Sequence, residues 1–309
     1  MALDRRDADR AGAGYRHDVS WNAGARRGLA GRFRGRSRLA AVLVVILACG
    51  VTYLVLRPAS QLAPRATFCE ADPAGQNVPL TTGQSAIAAT IAGVASRRDL
   101  PTRAVAIAYA TALQESKLAN LHYGDLDSVG VFQQRPSQGW GTVRELENPV
   151  YATSRFFDAL TAVPNYQQLP IYVAAQDVQH SADGQAYDQY AAVGTAMATA
   201  FTGADPHAVW CTYAAATAKP SLVTAAQAMT SAFGLTAQPG DAGRAMSVQV
   251  GSTAQGWAVA AWLASNAASY GITSVQYQGF HWLGFTGPGH WTPAVQAGSA
   301  GATSRVEFG

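Results

Sequence analysis

The side chains of this sequence that could carry out acid–base chemistry lie between residues 112 and 141. Glu115 ends the nearly uncharged run "RAVAIAYATALQE", whose apolar residues occupy almost every face of a helix. Such a run predicts a helix buried on most sides, so we expect the Glu115 carboxyl group to lie half in the core and half in a cleft. Because burial favours the protonated form of an acid, Glu115 could give a proton to a leaving oxygen, as cleavage of a glycosidic bond requires. A solvated acid at a helix end is the alternative.

The residues that follow Glu115 are of the types that bind sugars. Glycine lets a sugar ring approach the backbone, neutral amides and hydroxyls suit hydroxyl and N-acetyl groups, and aromatic rings suit the faces of sugars. The glycines of this stretch are Gly124, Gly130, Gly139 and Gly141, the amides and the hydroxyl are Gln133, Gln134, Asn120 and Ser116, and the aromatic residues are Tyr123, Phe132 and Trp140. Together they predict a glycan-binding cleft beside Glu115.

Two short patterns, "ESKLAN" and "SVGVFQQ", resemble motifs of the lytic transglycosylase and goose-type lysozyme superfamily. In that superfamily a Glu-Ser pair at the end of a helix precedes a turn made of Gly, an aliphatic residue, an aromatic residue or Met, and Gln. The resemblance covers residues 79–211. It implies a lysozyme-like domain in which Glu115 is the acid/base and Ser116 steadies it. The residues that it implies at the sugar cleft are Gly130, Phe132 and Gln133.

The reaction depends on whether a second carboxylate assists Glu115. The segment "YGDLDS" is similar to a goose-type turn, which implies that Asp125 or Asp127 lies where a carboxylate would activate water. An inverting hydrolase needs such a group about 6.5–9.5 Å from the acid. A transglycosylase needs only one acid/base, because the 6-hydroxyl group of N-acetylmuramic acid attacks instead of water.

Two departures from the superfamily bear on the reaction. Gln134 and Arg135 stand where goose-type enzymes carry a further aspartate, and "AAQDVQHSA" occupies the expected place of the transglycosylase segment Ala-Tyr-Asn-Ala-Gly. Gln179, in that segment, is a predicted substrate-binding residue. The resemblance implies cleavage of the β-1,4 bond between N-acetylmuramic acid and N-acetylglucosamine in peptidoglycan, with a lytic transglycosylase favoured over a lysozyme-type hydrolase. A catalytically silent peptidoglycan-binding or scaffolding protein is the alternative.

The N-terminal part of the chain predicts a membrane anchor. Residues 1–38 carry ten arginines and four aspartates, a net charge of about +6 in a chain whose total is +3. The uncharged apolar stretch 39–56 follows, which predicts a transmembrane helix with the tail in the cytoplasm and the later residues outside. A cleaved signal peptide is the alternative. Residues 57–78, rich in Pro, Ala and small polar residues, predict a stalk.

Export determines how the cysteines are interpreted. Cys49 lies in the apolar stretch, which leaves Cys69 and Cys211 as a pair in an oxidising compartment. A disulfide is the ordinary outcome for such a pair, and two unrelated buried thiols are the alternative. The sequence has no CxxC and no Cys/His spacing typical of zinc sites.

The C-terminal part, residues 220–309, predicts a small α+β domain. It contains the helical segment "QGWAVAAWLASNAASYG" and the strand-like segments "SVQV", "ITSVQYQG" and "SRVEFG". Its order resembles exported domains related to the zinc D-Ala-D-Ala peptidase and Hedgehog fold. Gly240 and Ser247 stand at two of the family's zinc-ligand positions, and "SRVE" stands at the terminal ones, so we expect neither a metal nor a cofactor.

The predicted fold class is therefore a mainly α lysozyme-like domain plus a small α+β C-terminal domain, behind a single N-terminal transmembrane helix. The expected location is the cell membrane, with both domains outside. The expected partners are peptidoglycan glycan strands, the membrane through residues 39–56, and other cell-wall enzymes. Nucleic acid is not an expected partner, because the basic tail is on the cytoplasmic side and the folded part has a net charge of about −3.

Overall fold

The computed structural model describes residue 46 and residues 66–181, 183–214, 219–240, 245–294 and 304–309. One compact unit spans Pro64–Gly309 and contains every element named below. The predicted cytoplasmic tail, the predicted transmembrane stretch apart from Ile46, and residues 57–65 of the predicted stalk lie outside the described residues.

The first half of the unit contains a three-stranded sheet, and its helices come between the second and third strands in the sequence. Strands β1 (Phe68–Ala71), β2 (Val78–Leu80) and β3 (Val209–Thr212) form an antiparallel sheet in the order β2-β1-β3. The helices between β2 and β3 are α1 (Thr82–Arg97), α2 (Thr102–Ser116), α3 (Val143–Leu146), α4 (Pro149–Ala162), α5 (Ile171–Gln179) and α6 (Ala191–Phe201). Shorter 3-10 segments cover Pro73–Gly75, Pro136–Gln138 and Gly184–Tyr190.

The helix ends follow from local side-chain chemistry. Thr81 caps α1 by a capping box, in which its hydroxyl accepts a hydrogen bond from the Gln84 N–H at 3.2 Å and Gln84 Oε1 accepts one from the Thr81 N–H at 2.9 Å. Asn148 caps α4 without a capping box, and its side-chain oxygen accepts from the Val150 N–H at 3.0 Å. Helix α2 ends where Lys117 takes a left-handed conformation with φ 57°, so the chain turns sharply just after Glu115 and Ser116.

The second half contains a six-stranded sheet with helices packed on it. Its strands are β4 (Ala237–Pro239), β5 (Met246–Gln249), β6 (Ser274–Tyr277), β7 (Phe280–Leu283), β8 (Thr292–Pro293) and β9 (Arg305–Phe308), in the order β4-β5-β9-β6-β7-β8. The helices are α7 (Leu222–Phe233), α8 (Thr253–Ser265) and α9 (Ala267–Tyr270). Helix α1 packs on both α7 and α8, so one continuous core runs through the two halves.

The predicted fold class, a mainly α lysozyme-like domain plus a small α+β C-terminal domain behind a transmembrane helix, is wrong for the part of the chain that the structure describes. That part contains a three-stranded and a six-stranded sheet, and none of its helices is long and apolar enough to cross a membrane. The first sheet escaped the sequence analysis because its strands have three or four residues, too few for a two-residue alternation to stand out. Its pairing also joins residues far apart in the chain, such as Cys69 and Cys211.

The predicted disulfide between Cys69 and Cys211 is confirmed. The two cysteines lie opposite each other on β1 and β3, and both are fully buried. The bond therefore ties the beginning of the helical half to its end.

Candidate active site

The Glu115 carboxyl group lies at a junction of three segments. Glu115 is half-buried in the last turn of α2. Its Oε1 atom accepts hydrogen bonds from the Tyr187 hydroxyl at 2.6 Å and from Gln179 Nε2 at 3.1 Å. Gln179 Nε2 also donates to the backbone oxygen of Phe132 at 2.8 Å. Two neutral donors, one from the end of α5 and one from the Gly184–Tyr190 segment, therefore fix the orientation of this carboxyl group.

Tyr187 is the part of this arrangement that the sequence analysis missed. Its side chain is almost fully buried. Burial, and then the hydrogen bond to Glu115, raises the pKa of Tyr187 far above its ordinary value, so the hydroxyl stays protonated and acts as a donor. A buried tyrosine needs a partner for its hydroxyl, but the short 3-10 segment that carries Tyr187 has no periodic pattern that would have indicated burial.

Ser116 joins the end of α2 to the glycine-containing turn that follows. It is buried, and its Oγ atom lies 2.7 Å from the backbone oxygen of Val131 and 3.1 Å from that of Ala112. The N–H group of Ala119 donates to the same Oγ atom at 3.2 Å. Ser116 thus fixes the backbone on both sides of Glu115, as a steadying residue would.

The turn at residues 128–134 requires glycine at Gly130. Its φ is +81°, and a Cβ atom there would lie 2.4 Å from the backbone oxygen of Leu146. Gln133 also has a positive φ, 48°, and its side chain folds back on the turn: Nε2 donates to the Gly130 oxygen at 3.1 Å, and Oε1 accepts from Ser128 Oγ at 3.1 Å. The predicted sugar-binding amide of Gln133 therefore holds the turn in this structure.

Two other predicted cleft residues face the core. The Phe132 ring is fully buried and stacks on Phe156 with a centroid distance of 4.4 Å. Gln134 is buried, and its Nε2 atom donates to the Ala152 oxygen at 3.2 Å. The backbone oxygen of Phe132 is thus the part of Phe132 that Gln179 links to Glu115 by hydrogen bonds.

The remaining predicted binding residues differ in exposure. Tyr123 is 74% exposed, which leaves its ring free to stack on a sugar. Asn120 Nδ2 donates to the backbone oxygen of Glu147 at 2.7 Å. Trp140 is half-buried, and its backbone oxygen accepts from Arg155 Nε at 3.3 Å. Of these three residues, Tyr123 is the one that presents an open aromatic face.

Asp127 is committed to structural contacts. Its Oδ1 atom accepts from Arg135 Nε at 2.8 Å and from Ser137 Oγ at 2.9 Å, and its Oδ2 atom accepts from the Ser137 N–H at 2.7 Å. These bonds, that of Arg135 first, lower the pKa of Asp127 to about 2. Asp125 is exposed, and its backbone oxygen accepts from the N–H and hydroxyl of Ser128. Of the two predicted water-activating carboxylates, only that of Asp125 is without a hydrogen-bond partner in the described part of the chain.

Within the described ranges, no group of three or more His, Cys, Asp or Glu side chains is placed to hold a metal ion. In the C-terminal half, Ser247 of β5 pairs with Glu307 of β9, so two of the positions that resemble zinc-ligand positions lie side by side in the sheet.

No protein-family model matches the sequence, and no curated protein matches it either. A functional assignment for this chain therefore depends on the arrangement around Glu115.

Proposed function

We propose that the chain cleaves the β-1,4 glycosidic bond between N-acetylmuramic acid and N-acetylglucosamine in peptidoglycan, with Glu115 as the acid/base. The observation that carries this proposal is the asymmetric hydrogen bonding of the Glu115 carboxyl group. Both donors, Tyr187 and Gln179, bind Oε1. No partner of Oε2 lies among the described residues. Because Tyr187 and Gln179 both donate to Oε1, Oε2 is the oxygen left to face a substrate, and Oε2 is the atom that would carry a transferable proton.

The reaction follows from this proton placement. Glu115 Oε2 donates its proton to the glycosidic oxygen as the bond to the anomeric carbon of N-acetylmuramic acid breaks. The carboxylate that forms then accepts the proton of the muramyl 6-hydroxyl group while that oxygen bonds to the anomeric carbon. The products are a 1,6-anhydro end and a free 4-hydroxyl group on N-acetylglucosamine. Glu115 ends the cycle protonated again.

The contacts of Asp127, one of the two candidates for a water-activating carboxylate, support a transglycosylase rather than an inverting hydrolase. Arg135 and Ser137 use both oxygens of Asp127, and a carboxylate that must accept a proton from water cannot be held in this way without losing basicity. Asp125 is exposed on the same turn. The Asp125→Asn variant tests the hydrolase directly, because only a hydrolase that uses Asp125 would lose activity.

The disulfide supports a location outside the cytoplasm. Disulfides persist in oxidising compartments and are rare in the cytosol. The buried bond between Cys69 and Cys211 suits a protein that meets peptidoglycan, and we therefore propose that the folded unit faces the cell wall.

The test is digestion of purified sacculi by the full chain, followed by mass spectrometry of the released muropeptides. A transglycosylase releases anhydro-muropeptides, and a hydrolase releases muropeptides with reducing ends. The matched control is Glu115→Gln, which keeps the shape and the acceptor oxygen but has no proton to transfer. We expect its turnover to fall by about two to four orders of magnitude.

One observation favours the alternative of a silent glycan-binding protein. The side chains of Phe132, Gln133 and Gln134 all make contacts within the protein, which leaves few groups in the turn to grip a substrate. If the wild-type chain binds sacculi and releases nothing, and Glu115→Gln behaves identically, the enzyme proposal is refuted and the binding function replaces it.

A further inference from the structure

A cavity of about 390 Å³ lies where the first sheet meets the segment before β8. It shares no lining residue with the Glu115 site. Its acidic, imidazole and indole lining side chains are those of Asp72, Asp205, His207, Trp210, His290 and Trp291.

The backbone around this cavity is held by hydrogen bonds from several elements. The N–H group of Asp72 donates to the Ala208 oxygen at 2.8 Å, and the Ala74 N–H donates to Asp205 Oδ2 at 2.7 Å. Trp291 Nε1 donates to the Val209 oxygen at 2.7 Å. The carboxylates and the indole rings are thus attached to a fixed frame.

The charge of the cavity is negative. Asp72 and Asp205 line it, and none of its described lining residues is Lys or Arg. Asp72 Oδ1 is buried and has no hydrogen-bond partner in the described part of the chain. No hydrogen bond to the other carboxylate oxygen is present in the described ranges either, and Asp72 as a whole is half-buried at the cavity wall. A carboxylate without donors in such a place is costly, so Asp72 can accept from a donor in the cavity.

Glu70 is a second acid close to Asp72. Burial, and then the negative charge of Asp72, raises the pKa of Glu70. Glu70 lies opposite Trp210 in the pairing of β1 with β3. Asp72 and Glu70 are therefore close enough for their negative charges to repel each other.

Aromatic rings form the other walls. The Trp210 ring meets Phe68 edge-on at a centroid distance of 5.5 Å and His290 at 6.2 Å. The His207 ring packs on Phe280 at 4.7 Å. An indole face attracts an organic cation, and this attraction strengthens when the cation is shielded from water. Neutral imidazoles can also accept hydrogen bonds from an ammonium group.

We propose that this cavity binds an alkylammonium group, which places its N–H donors on Asp72 and its alkyl stem against the Trp210 ring. An alkylammonium group has a positive charge, N–H donors but no acceptors, and an apolar stem. The charge and the donors match the two aspartates, and the stem matches the indole and imidazole rings. A free amino group of a cell-wall stem peptide and a free polyamine both have this chemistry. The proposal does not depend on the activity proposed for Glu115.

The test is a titration of the full chain with Nα-acetyl-lysine methylamide. Binding is measured by Trp fluorescence and by isothermal calorimetry. The Nε-acetylated analogue has the same stem without the charge, and we expect it to bind at least about tenfold more weakly. Asp72→Asn should weaken binding of the charged probe about tenfold, and added salt should weaken binding to the wild type. The matched control is Asp99→Asn, which removes one charge from residues that line a different cavity, and it should bind like the wild type.

Several outcomes would overturn the proposal. Equal binding of the two probes would mean a neutral apolar pocket, and competition by calcium ions at equal concentration would mean a metal site. No binding of the charged probe at about 10 mM would mean that the cavity does not recognise this group.

Two further arms separate the sources of the amine and the two sites. A soluble stem peptide with a free side-chain amine should bind more tightly than putrescine if the cell wall supplies the ligand, and the order should reverse if a polyamine does. Glu115→Gln should bind the amine normally, and Asp72→Asn should cleave glycan strands that lack peptides at the wild-type rate. Failure of amine binding therefore leaves the glycosidase proposal intact, and failure of cleavage leaves the amine site intact.

Discussion

The Tyr187→Phe variant removes the hydroxyl group that orients Glu115 and changes little else. Tyr187 is almost fully buried, and its hydroxyl lies 2.6 Å from Glu115 Oε1. Phenylalanine fills the same space, so the ring stays packed and Gln179 remains as the second donor. We expect the variant to fold and to bind glycan strands normally, because Tyr187 is a positioning residue rather than a substrate contact.

The magnitude follows from the change in charge of Glu115 during the reaction. A hydrogen bond to the protonated acid contributes about 0.5–1.5 kcal/mol, and one to the carboxylate that forms contributes about 1.5–3 kcal/mol. Only the difference, about 1–1.5 kcal/mol, lowers the barrier, because the bond to the ground state is present from the start. This difference corresponds to a fall in kcat of about five- to thirteenfold, with KM unchanged.

The assay is the initial rate of muropeptide release from sacculi at several substrate concentrations, which separates kcat from KM. The matched control is Tyr109→Phe, since Tyr109 is fully buried and its hydroxyl donates to the Ala88 oxygen at 2.7 Å. Both variants lose one buried hydrogen bond and should lose about 1 kcal/mol of stability. If kcat of Tyr187→Phe equals that of Tyr109→Phe, the hydroxyl does not assist Glu115 and the reasoning is refuted.

Three other perturbations test the frame around the site. Gly130→Ala should lower the unfolding free energy by about 2–4 kcal/mol, because of strain at φ +81° and a Cβ atom 2.4 Å from a backbone oxygen. The control Gly139→Ala measures the strain alone, because Gly139 has φ +80° with open space around it. Equal losses of the two variants in urea denaturation would exclude the clash. The pKa of Asp127 is lowered to about 2 from its ordinary 3.8, so its stabilising contribution is complete above about pH 4 and disappears as the pH falls through about 2. The melting temperature of Asp127→Asn should therefore lie below that of the wild type at pH 7 and approach it near pH 2, and a gap that does not change with pH would contradict this. Replacement of Cys69 and Cys211 by Ser should lower the unfolding free energy by up to about 4–5 kcal/mol, because the bond closes a loop of 142 residues; an unchanged urea midpoint would show that the bond adds nothing.

The elements that the sequence predicted are those with local signals. The helix that the run ending at Glu115 predicts is α2, which ends at Ser116. The strand-like segments of the C-terminal part correspond to β5, β6 and β9. Periodicity acts over a few residues, so it can be recognised without knowledge of the fold.

The elements that the sequence did not predict depend on distant partners. Strand β1 is a strand because β2 and β3 pair with it, and β3 lies some 140 residues later. The same limit applies to side-chain direction. The Phe132 ring could have faced a cleft or the core, and the presence of Phe156 at stacking distance decided for the core. Tyr187 could be recognised only once α5 and the segment after it were known to return to the end of α2.

Glu115 has neutral hydrogen-bond donors and no ion-pair partner among the described residues, and its proposed chemistry explains why. The arginine–carboxylate ion pairs of the described residues join Arg98 and Arg155 to Asp158 and Arg135 to Asp127, and none of them includes Glu115.

An arginine beside Glu115 would hold its carboxylate ionised, as Arg135 does for Asp127, and an ionised carboxylate cannot begin the reaction as an acid. A fully apolar pocket would favour the neutral form so strongly that the second step, in which the carboxylate accepts a proton, would be costly. The tyrosine hydroxyl and the glutamine amide stabilise both forms to a moderate extent. Neutral donors on one oxygen, with the other oxygen left for the substrate, therefore suit a group that must be an acid in one step and a base in the next.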